Sequence, residues 1–261
     1  MKSSLLLLLI VIVFSSACVN TVTLGEGLAT SIQTSPRVFA GEDVKIFIDV
    51  ENKDLKLYKN VEVDLFDTGF LTGEECKKDL GEIRSGETKT FVCTLKAPDS
   101  INEDYIENTI SAKTTYSSSL RLLSNIEVIS SDEYERRRVT GKLVEEDGTE
   151  AISDNSLMAE ISFNQDLPIV RRGDQPLLFL TIENAGSGIL QKLDQGKIKL
   201  ESGIVKSECV NKAFDVLDSK YPKITCEMNI GDVEDIENHD ILVEIQYSYD
   251  VRDKIFIDIV R

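Results

Sequence analysis

Four of the five cysteines are spaced for disulfide chemistry. Cys76 and Cys93 are seventeen positions apart, and so are Cys209 and Cys226. No Cys-x-x-Cys motif occurs, so zinc ribbons and thioredoxin-type redox sites do not fit this chain. Cysteines that recur in pairs outside the cytosol form disulfides. We therefore expect the bridges Cys76–Cys93 and Cys209–Cys226, each of which would stabilise the fold by about 3 kcal/mol through the entropy of the unfolded chain.

The N-terminus has the features of an export signal. It reads "MKSSLLLLLIVIVFSSACVN", with a positive charge at Lys2, an apolar run from Leu5 to Phe14 and small residues before Cys18. An apolar run this short favours a cleaved signal over a permanent membrane helix, which needs about twenty residues. We assign residues 1–17 to a signal peptide or membrane anchor helix and residues 18–30 to a tether.

The fifth cysteine follows the small residues of that segment directly. Here the chain resembles prokaryotic lipoprotein signals, in which such a cysteine becomes the lipidated first residue of the mature protein. The resemblance implies lipidation of Cys18, although Ser15 stands where these signals usually carry leucine. Ordinary cleavage nearby, with Cys18 removed or left as a spare thiol, is the alternative.

Composition excludes several classes of function. The 261 residues carry a formal net charge of -17, which disfavours binding to nucleic acid or to an anionic membrane surface. The single histidine, His239, excludes a zinc site built on several histidines, and there is no tryptophan. No nucleophile motif or phosphate-binding loop occurs, so we expect no enzymatic activity, no metal and no cofactor. A hydrolase that uses surface carboxylates is the alternative.

One motif with recognition side chains occurs twice. The pattern Tyr-Ser-x-x-hydrophobic-Arg places Tyr116 with Arg121 and Tyr247 with Arg252. Tyrosine and arginine often anchor interfaces, so these four residues are candidate binding residues. The alternative interpretation is a strand tyrosine beside an ordinary surface arginine.

This recurrence is part of an internal repeat that covers most of the chain. Gly41 corresponds to Gly173 with a shift of 132 positions, the cysteines shift by 133, and the tyrosine–arginine motif shifts by 131. The repeat predicts two tandem homologous domains, residues 31–130 and 157–261. The segment 131–156 between them predicts a linker with a short helix at "DEYERRR".

Each half consists of short alternating segments with turn residues between them. "DVKIFIDVE", "NVEVDLF" and "TFVCTLKA" alternate apolar and polar residues, as do "LLFLTIE", "KITCEMNI" and "KIFIDIV" in the second half. Period-two segments at this spacing predict an all-β fold of two tandem antiparallel immunoglobulin-like β-sandwich domains. Cys93 alternates in register with Phe91 and Leu95, which places its sulfur at the core face.

Both halves carry a family resemblance, which is looser in the second half, where "SKYPKITC" replaces "SGETKTFVC". The phrases "AGEDVKIFIDVENK", "NVEVDLF" and "LGEIRSGETKTFVCTLKAP" resemble CARDB-type and related immunoglobulin-like domains of prokaryotic, especially archaeal, surface proteins. The resemblance implies extracellular modules for adhesion, spacing or assembly, and it brings no catalytic residues. We expect a membrane-anchored extracytoplasmic protein with a binding, adhesion or structural-spacer role at the cell surface and with envelope proteins as partners. A solute-capturing lipoprotein associated with a transporter is the alternative.

Overall fold

The computed structural model describes residues 27–170 and 175–261 of the chain. The predicted signal segment, Cys18 and most of the tether lie outside the described residues, and so does Gly173. The strands are β1 (Leu28–Gln33), β2 (Arg37–Phe39), β3 (Asp43–Asn52), β4 (Tyr58–Asp67), β5 (Lys77–Ile83), β6 (Thr88–Lys96), β7 (Tyr105–Ile129), β8 (Glu150–Ser153), β9 (Leu157–Phe163), β10 (Ile169–Val170), β11 (Leu177–Asn184), β12 (Ile189–Leu190), β13 (Ile198–Ser202), β14 (Ile224–Glu227) and β15 (Ile236–Val260). A helix, α1 (Ser131–Val139), and a 3-10 turn (Ser207–Val210) complete the regular structure of this part of the chain. The all-β prediction is confirmed.

The strands form one large sheet and two small ones. The large sheet has the order β12-β15-β7-β4-β5, with β13 and β2 also paired to β15 and β10 paired to β7. One small sheet has the order β1-β3-β6 and belongs to the first half of the chain, and the other has the order β14-β11-β9-β8 and belongs to the second half. Both small sheets pack on the large sheet, as in a β-sandwich.

Two strands of 25 residues form the centre of the large sheet. β7 and β15 pair antiparallel over their whole length, from Tyr105 opposite Val260 to Ile129 opposite Ile236. At the usual rise per residue this ladder is about 80 Å long. Alternation in "NTISAKTTY" continues through "YSSSLRLLSNIEVI" without glycine or proline, so nothing in the sequence ends β7 near Tyr116.

The ladder has one buried face and one open face. Even-numbered residues of β7 are the buried ones almost throughout, and odd-numbered residues of β15 lie opposite them. The small sheets cover this face from both halves, since Thr30 of β1 bonds Thr114 of β7 and Ser156 beside β9 bonds Tyr116. The buried apolar side chains of both halves therefore form one contiguous core.

At each end of the ladder, a short strand from one half of the chain pairs with the long strand of the other half. β2 of the first half pairs in parallel with Asp258–Val260 at the end of β15. In the same way β10 of the second half pairs in parallel with the end of β7. Each long strand thus ends beside a short strand from the other half. The division into two tandem domains stays a prediction, because the halves share this sheet.

The repeat in the sequence has a geometric counterpart at two places. A shift of 131 carries Ser117 to Ser248, and these two residues face each other across the ladder, so the repeat has its midpoint there. Asn52 and Asn184 end equivalent strands and form the same turn. Each accepts a hydrogen bond from the backbone N–H two residues later and donates to the carbonyl four residues later.

The predicted linker contains more regular structure than a linker requires. The helix lies where "DEYERRR" predicted it, and Ser130 caps it by accepting a hydrogen bond from the Glu133 N–H. Arg137 binds Glu127 of β7 with both terminal nitrogens, at 2.8 and 3.0 Å, and also binds Glu133 at 2.7 Å. Farther along, β8 forms the edge strand of the four-stranded sheet. Segment 131–156 is therefore attached to both layers of the sandwich.

Candidate functional site

Each disulfide closes within one half, as the spacing predicts. Cys76 bonds Cys93 and Cys209 bonds Cys226, with Cα–Cα distances of 5.8 and 5.3 Å. Cys76 directly precedes β5 of the large sheet, whereas Cys93 lies on β6 of a small sheet, so this bridge joins the two layers. Cys93 is buried, as its alternation with Leu95 predicted. The connection between β4 and β6 contains β5, which pairs with β4.

The recurring tyrosine–arginine motif does not form a joint binding site. Tyr116 and Tyr247 are buried, whereas Arg121 and Arg252 are exposed on the open face of the ladder. Residues five positions apart in a strand point to opposite faces, so the motif's own spacing separates phenol from guanidinium. The separation of five positions is visible in the sequence, and it predicts opposite faces if tyrosine and arginine lie on one continuous strand.

The two arginines have separate partners on the open face. Arg121 forms an ion pair with Glu244 directly across the ladder, at 3.0 Å. Arg252 lies over the ring of Phe66 on β4, with 5.3 Å between the guanidinium carbon and the ring centroid. Both contacts are of kinds common on strand surfaces.

The buried tyrosines belong to a cluster that joins the two halves. Tyr58, Tyr116 and Tyr249 pack ring to ring, with centroid distances of 4.7 and 5.7 Å. The Tyr116 hydroxyl shares a 2.6 Å hydrogen bond with Ser156, and the Tyr249 hydroxyl donates to Asn184 at 2.9 Å. Sequence analysis missed Tyr58 and Tyr249, because neither takes part in the recurring motif.

Burial keeps these phenols in their protonated form. It raises the pKa of Tyr58, Tyr116, Tyr247 and Tyr249 above the ordinary tyrosine range, since a phenolate would lose its hydration. Each hydroxyl is therefore a hydrogen-bond donor at neutral pH rather than a nucleophile. The cluster acts as part of the core.

A carboxylate from the linker completes the cluster. Asp154 accepts hydrogen bonds from the Tyr247 hydroxyl at 2.5 Å and from the Lys56 ammonium at 2.6 Å. Lys56 also donates to the Ser118 hydroxyl at 3.0 Å. Side chains from before β4, from both long strands and from the turn after β8 thus meet at one acid. This network links first-half and second-half residues by charge as well as by packing.

An open polar cleft lies beside this network, at the midpoint of the ladder. Its volume is about 470 Å³. We call it the central cleft, and its lining residues are Lys56, Leu57, Lys59, Asn60, Ser117, Ser118, Ser119, Lys197, Glu244, Gln246, Tyr247 and Ser248. Both halves contribute to it.

A bulge in β4 shapes one wall of the central cleft. The pairing of β4 with β5 and β7 shifts register between Tyr58 and Glu62. Asn60, within that shift, has a φ of 52°, in the left-handed region that asparagine tolerates better than most residues. β4 ends its pairing with β7 at Ser117, and no other described strand pairs with that side of β7 before β10. The bulge in β4 and the side of β7 beyond Ser117, which pairs with no described strand before β10, together form the central cleft.

Other features of the described residues do not add a chemical site. No group of three or more His, Cys, Asp or Glu side chains in residues 27–170 and 175–261 lies close enough to hold a metal ion. His239 lies on β15, with its Nε2 3.1 Å from Glu237. Within the same ranges no helix is long and apolar enough to cross a membrane.

Comparison with known proteins gives little further information. No protein-family model and no curated protein match the chain. Among solved structures, the sporulation control protein Spo0M from Bacillus subtilis is similar over 60% of this chain and 79% of its own, with 11% sequence identity and a TM-score of 0.22. A similarity this low carries no argument about fold or function.

Proposed function

We propose that this chain is an extracytoplasmic β-sandwich protein of the cell envelope with a binding, adhesion or structural-spacer role and without catalytic activity. The observation that carries the proposal is the pair of intramolecular disulfides, since such bonds persist in oxidising compartments. The resemblance of the first half to CARDB-type surface domains supports the same role. Envelope or surface proteins are the proposed partners.

The proposal includes attachment to the membrane through the N-terminus. Cys18 is the proposed lipidation site, and the apolar segment before it is the proposed signal. Residues 19–26 would then connect the lipid to β1, which begins at Leu28. Two tandem domains of common origin remain part of the proposal, since the shifts of 131 to 133 positions recur in strands, turns and cysteines.

The long ladder supports a spacer role over solute capture. A solute-capturing lipoprotein closes around its ligand at a hinge, and the segment 131–156 would have to be that hinge. The paired strands β7 and β15 cross both halves, so hinge motion there would bend or break their backbone hydrogen bonds. A stiff ladder suits a protein that holds a fixed distance.

Intact-mass spectrometry tests the attachment. The protein is extracted from membranes and measured with and without reduction, beside a Cys18→Ser variant. We expect a mature chain that begins at Cys18 with added lipid mass, and a gain of four hydrogens on reduction of the two disulfides. A mature chain that retains Lys2 would show that the N-terminal segment stays as a permanent membrane anchor instead of being cleaved before a lipidated Cys18. No mass gain on reduction would remove the basis of the extracytoplasmic assignment.

Small-angle X-ray scattering distinguishes the spacer from the solute-capturing alternative. Profiles are recorded for the protein alone and with a panel of metabolites, and a thermal-shift assay of the same panel identifies binders. We expect one unchanged profile throughout, because the ladder fixes the relation between the halves. A ligand that both raises the melting temperature and contracts the particle would favour solute capture.

A further inference from the structure

The central cleft offers hydrogen-bonding groups that the chain itself does not use. The hydroxyls of Ser117, Ser119 and Ser248 line it from the open face of the ladder. None of them bonds another described residue, and the Asn60 amide has no such partner either. Ser118 differs, since its hydroxyl accepts from Lys56. The cleft therefore presents three hydroxyls and one amide to whatever enters it.

The same cleft presents positive charge in a strongly acidic protein. Lys59 and Lys197 line it, and neither forms an ion pair with any residue that the structure describes. Its one carboxylate, Glu244, is held by Arg121 at 3.0 Å, and a hydrogen bond from Gln246 together with Arg121 lowers the Glu244 pKa. Lys56 also lines the cleft but is paired with Asp154. In a chain with a formal net charge of -17, the two lysines without an ion pair to a described residue create a local potential that attracts anions.

We propose that the central cleft binds a small anion in which a carboxylate or phosphate group is flanked by hydroxyl groups. Lys59 and Lys197 bind the charged group, and Ser117, Ser248 and Asn60 bind the neighbouring hydroxyls. A volume of about 470 Å³ is within the range of small-molecule sites. The opening to solvent suits a ligand that keeps part of its hydration.

The site depends on the union of the two halves. Lys59 and Asn60 come from the first half, whereas Lys197 and Gln246 come from the second. The serines that face each other at the midpoint of the ladder are equivalent in the repeat, so neither half alone contains this lining. The inference goes beyond the proposed spacer role and does not depend on it.

Titration calorimetry at low salt tests the binding and identifies the charged group. The full mature chain is titrated with D-glucuronate, with glucose 6-phosphate and with glucose as the neutral reference. We expect at least one charged sugar to bind about tenfold or more tightly than glucose, which corresponds to a single strong charge-assisted contact. Preference for glucuronate assigns a carboxylate ligand, and preference for glucose 6-phosphate assigns a phosphorylated one. No saturable binding of either up to about 10 mM overturns the proposal.

A matched pair of variants tests the role of the two lysines. Lys59→Gln/Lys197→Gln removes both charges from the cleft, whereas Lys78→Gln/Lys142→Gln removes the same charge from exposed positions outside it. We expect the first variant to weaken binding about tenfold or more and the second to change it less than about twofold. Equal losses in the two variants would mean a non-specific charge effect and overturn the site.

The serine hydroxyls are tested separately. Ser117→Ala/Ser248→Ala should weaken binding of the preferred sugar anion and leave that of inorganic phosphate unchanged, because phosphate presents no neighbouring hydroxyls to these side chains. Unchanged sugar binding in this variant would contradict the role of the hydroxyls.

Discussion

At the residue scale, hydrogen bonds decide what the recurring tyrosines do. Tyr247 belongs to a motif that suggested recognition, yet its hydroxyl bonds the buried end of Asp154 and its ring lies in the core. Tyr116 is equally buried and bonds Ser156. Both side chains link β7 and β15 to the segment around Asp154 and Ser156.

Removing one of these hydroxyls should cost stability. Tyr247→Phe leaves the other hydrogen bonds of Asp154 in place but deletes the one from the Tyr247 hydroxyl, so we expect the free energy of unfolding to fall by about 1–2 kcal/mol. Urea denaturation, monitored by circular dichroism, measures this change in the free energy of unfolding. The control is Tyr105→Phe, since Tyr105 is 60% exposed and its change should stay within about 0.5 kcal/mol. Equal effects of the two variants would contradict the role of Tyr247.

Paired carboxylates should make the protein sensitive to acid. Arg137 and Arg136 lower the pKa of Glu133, and lysine partners lower the pKa of Asp99 and Glu227. A carboxylate whose pKa is lower in the folded state than in the unfolded state stabilises the fold at neutral pH. That stabilisation is lost as the pH falls from the ordinary carboxyl pKa of about 4 through the lowered value. Stability should therefore decline below about pH 4.

The variant Glu133→Gln tests this at one position. It removes the titrating group that binds Arg137, so we expect lower stability at neutral pH and a flatter decline in acid. Thermal melts from pH 2 to pH 7 in steps measure both. The exposed Glu103→Gln is the control, and its pH profile should follow that of the unaltered protein. A Glu133→Gln profile as steep as the unaltered one would show that other groups dominate.

At the scale of elements, the disulfides attach connections to core strands. Cys76 joins the start of β5 to β6, and Cys209 joins the 3-10 turn after β13 to β14. The first bridge fixes an edge strand of the large sheet, and the second fixes a 3-10 turn. The equal sequence separations imply equal entropy effects in the unfolded chain.

Loss of either bridge should therefore cost a similar amount. We expect Cys76→Ala/Cys93→Ala and Cys209→Ala/Cys226→Ala each to lower the free energy of unfolding by about 3 kcal/mol. Guanidinium denaturation without reductant measures both. The two variants serve as controls for each other, and reduction of the unaltered protein should give the combined loss. A bridge whose removal changes nothing would not be part of the stable fold.

At the scale of the whole molecule, the shared ladder couples the two halves. Leu120, Leu122 and Ile126 of β7 come from the first half of the chain and are buried, and β7 contacts β8 and β9 as well as β15. On the other side, Ile257 and Ile259 of β15 are buried beside β1 and β2. Each long strand therefore packs partly against strands that follow or precede it in the other half of the chain.

This coupling predicts a single unfolding transition. Calorimetry of the complete chain should show one peak, and the two disulfide variants should shift that same peak. Fragments 27–130 and 131–261, made separately, should fail to give dispersed amide spectra and should recover them on mixing. Two peaks, or a fragment that folds alone, would instead support independent tandem domains.

The sequence by itself determined the local features of this protein. Alternation of period two predicted β3, β4 and β6, the segment "DEYERRR" predicted α1, and equal spacing predicted both disulfides. Only the tertiary structure decided that β7 and β15 pair over their whole length and that the halves share one sheet. β7 and β15 pair residues that are more than a hundred positions apart, and the periodicity of one strand does not show which strand it pairs with. The register of this pairing, the buried tyrosine cluster and the central cleft therefore form only when β7 and β15 are paired.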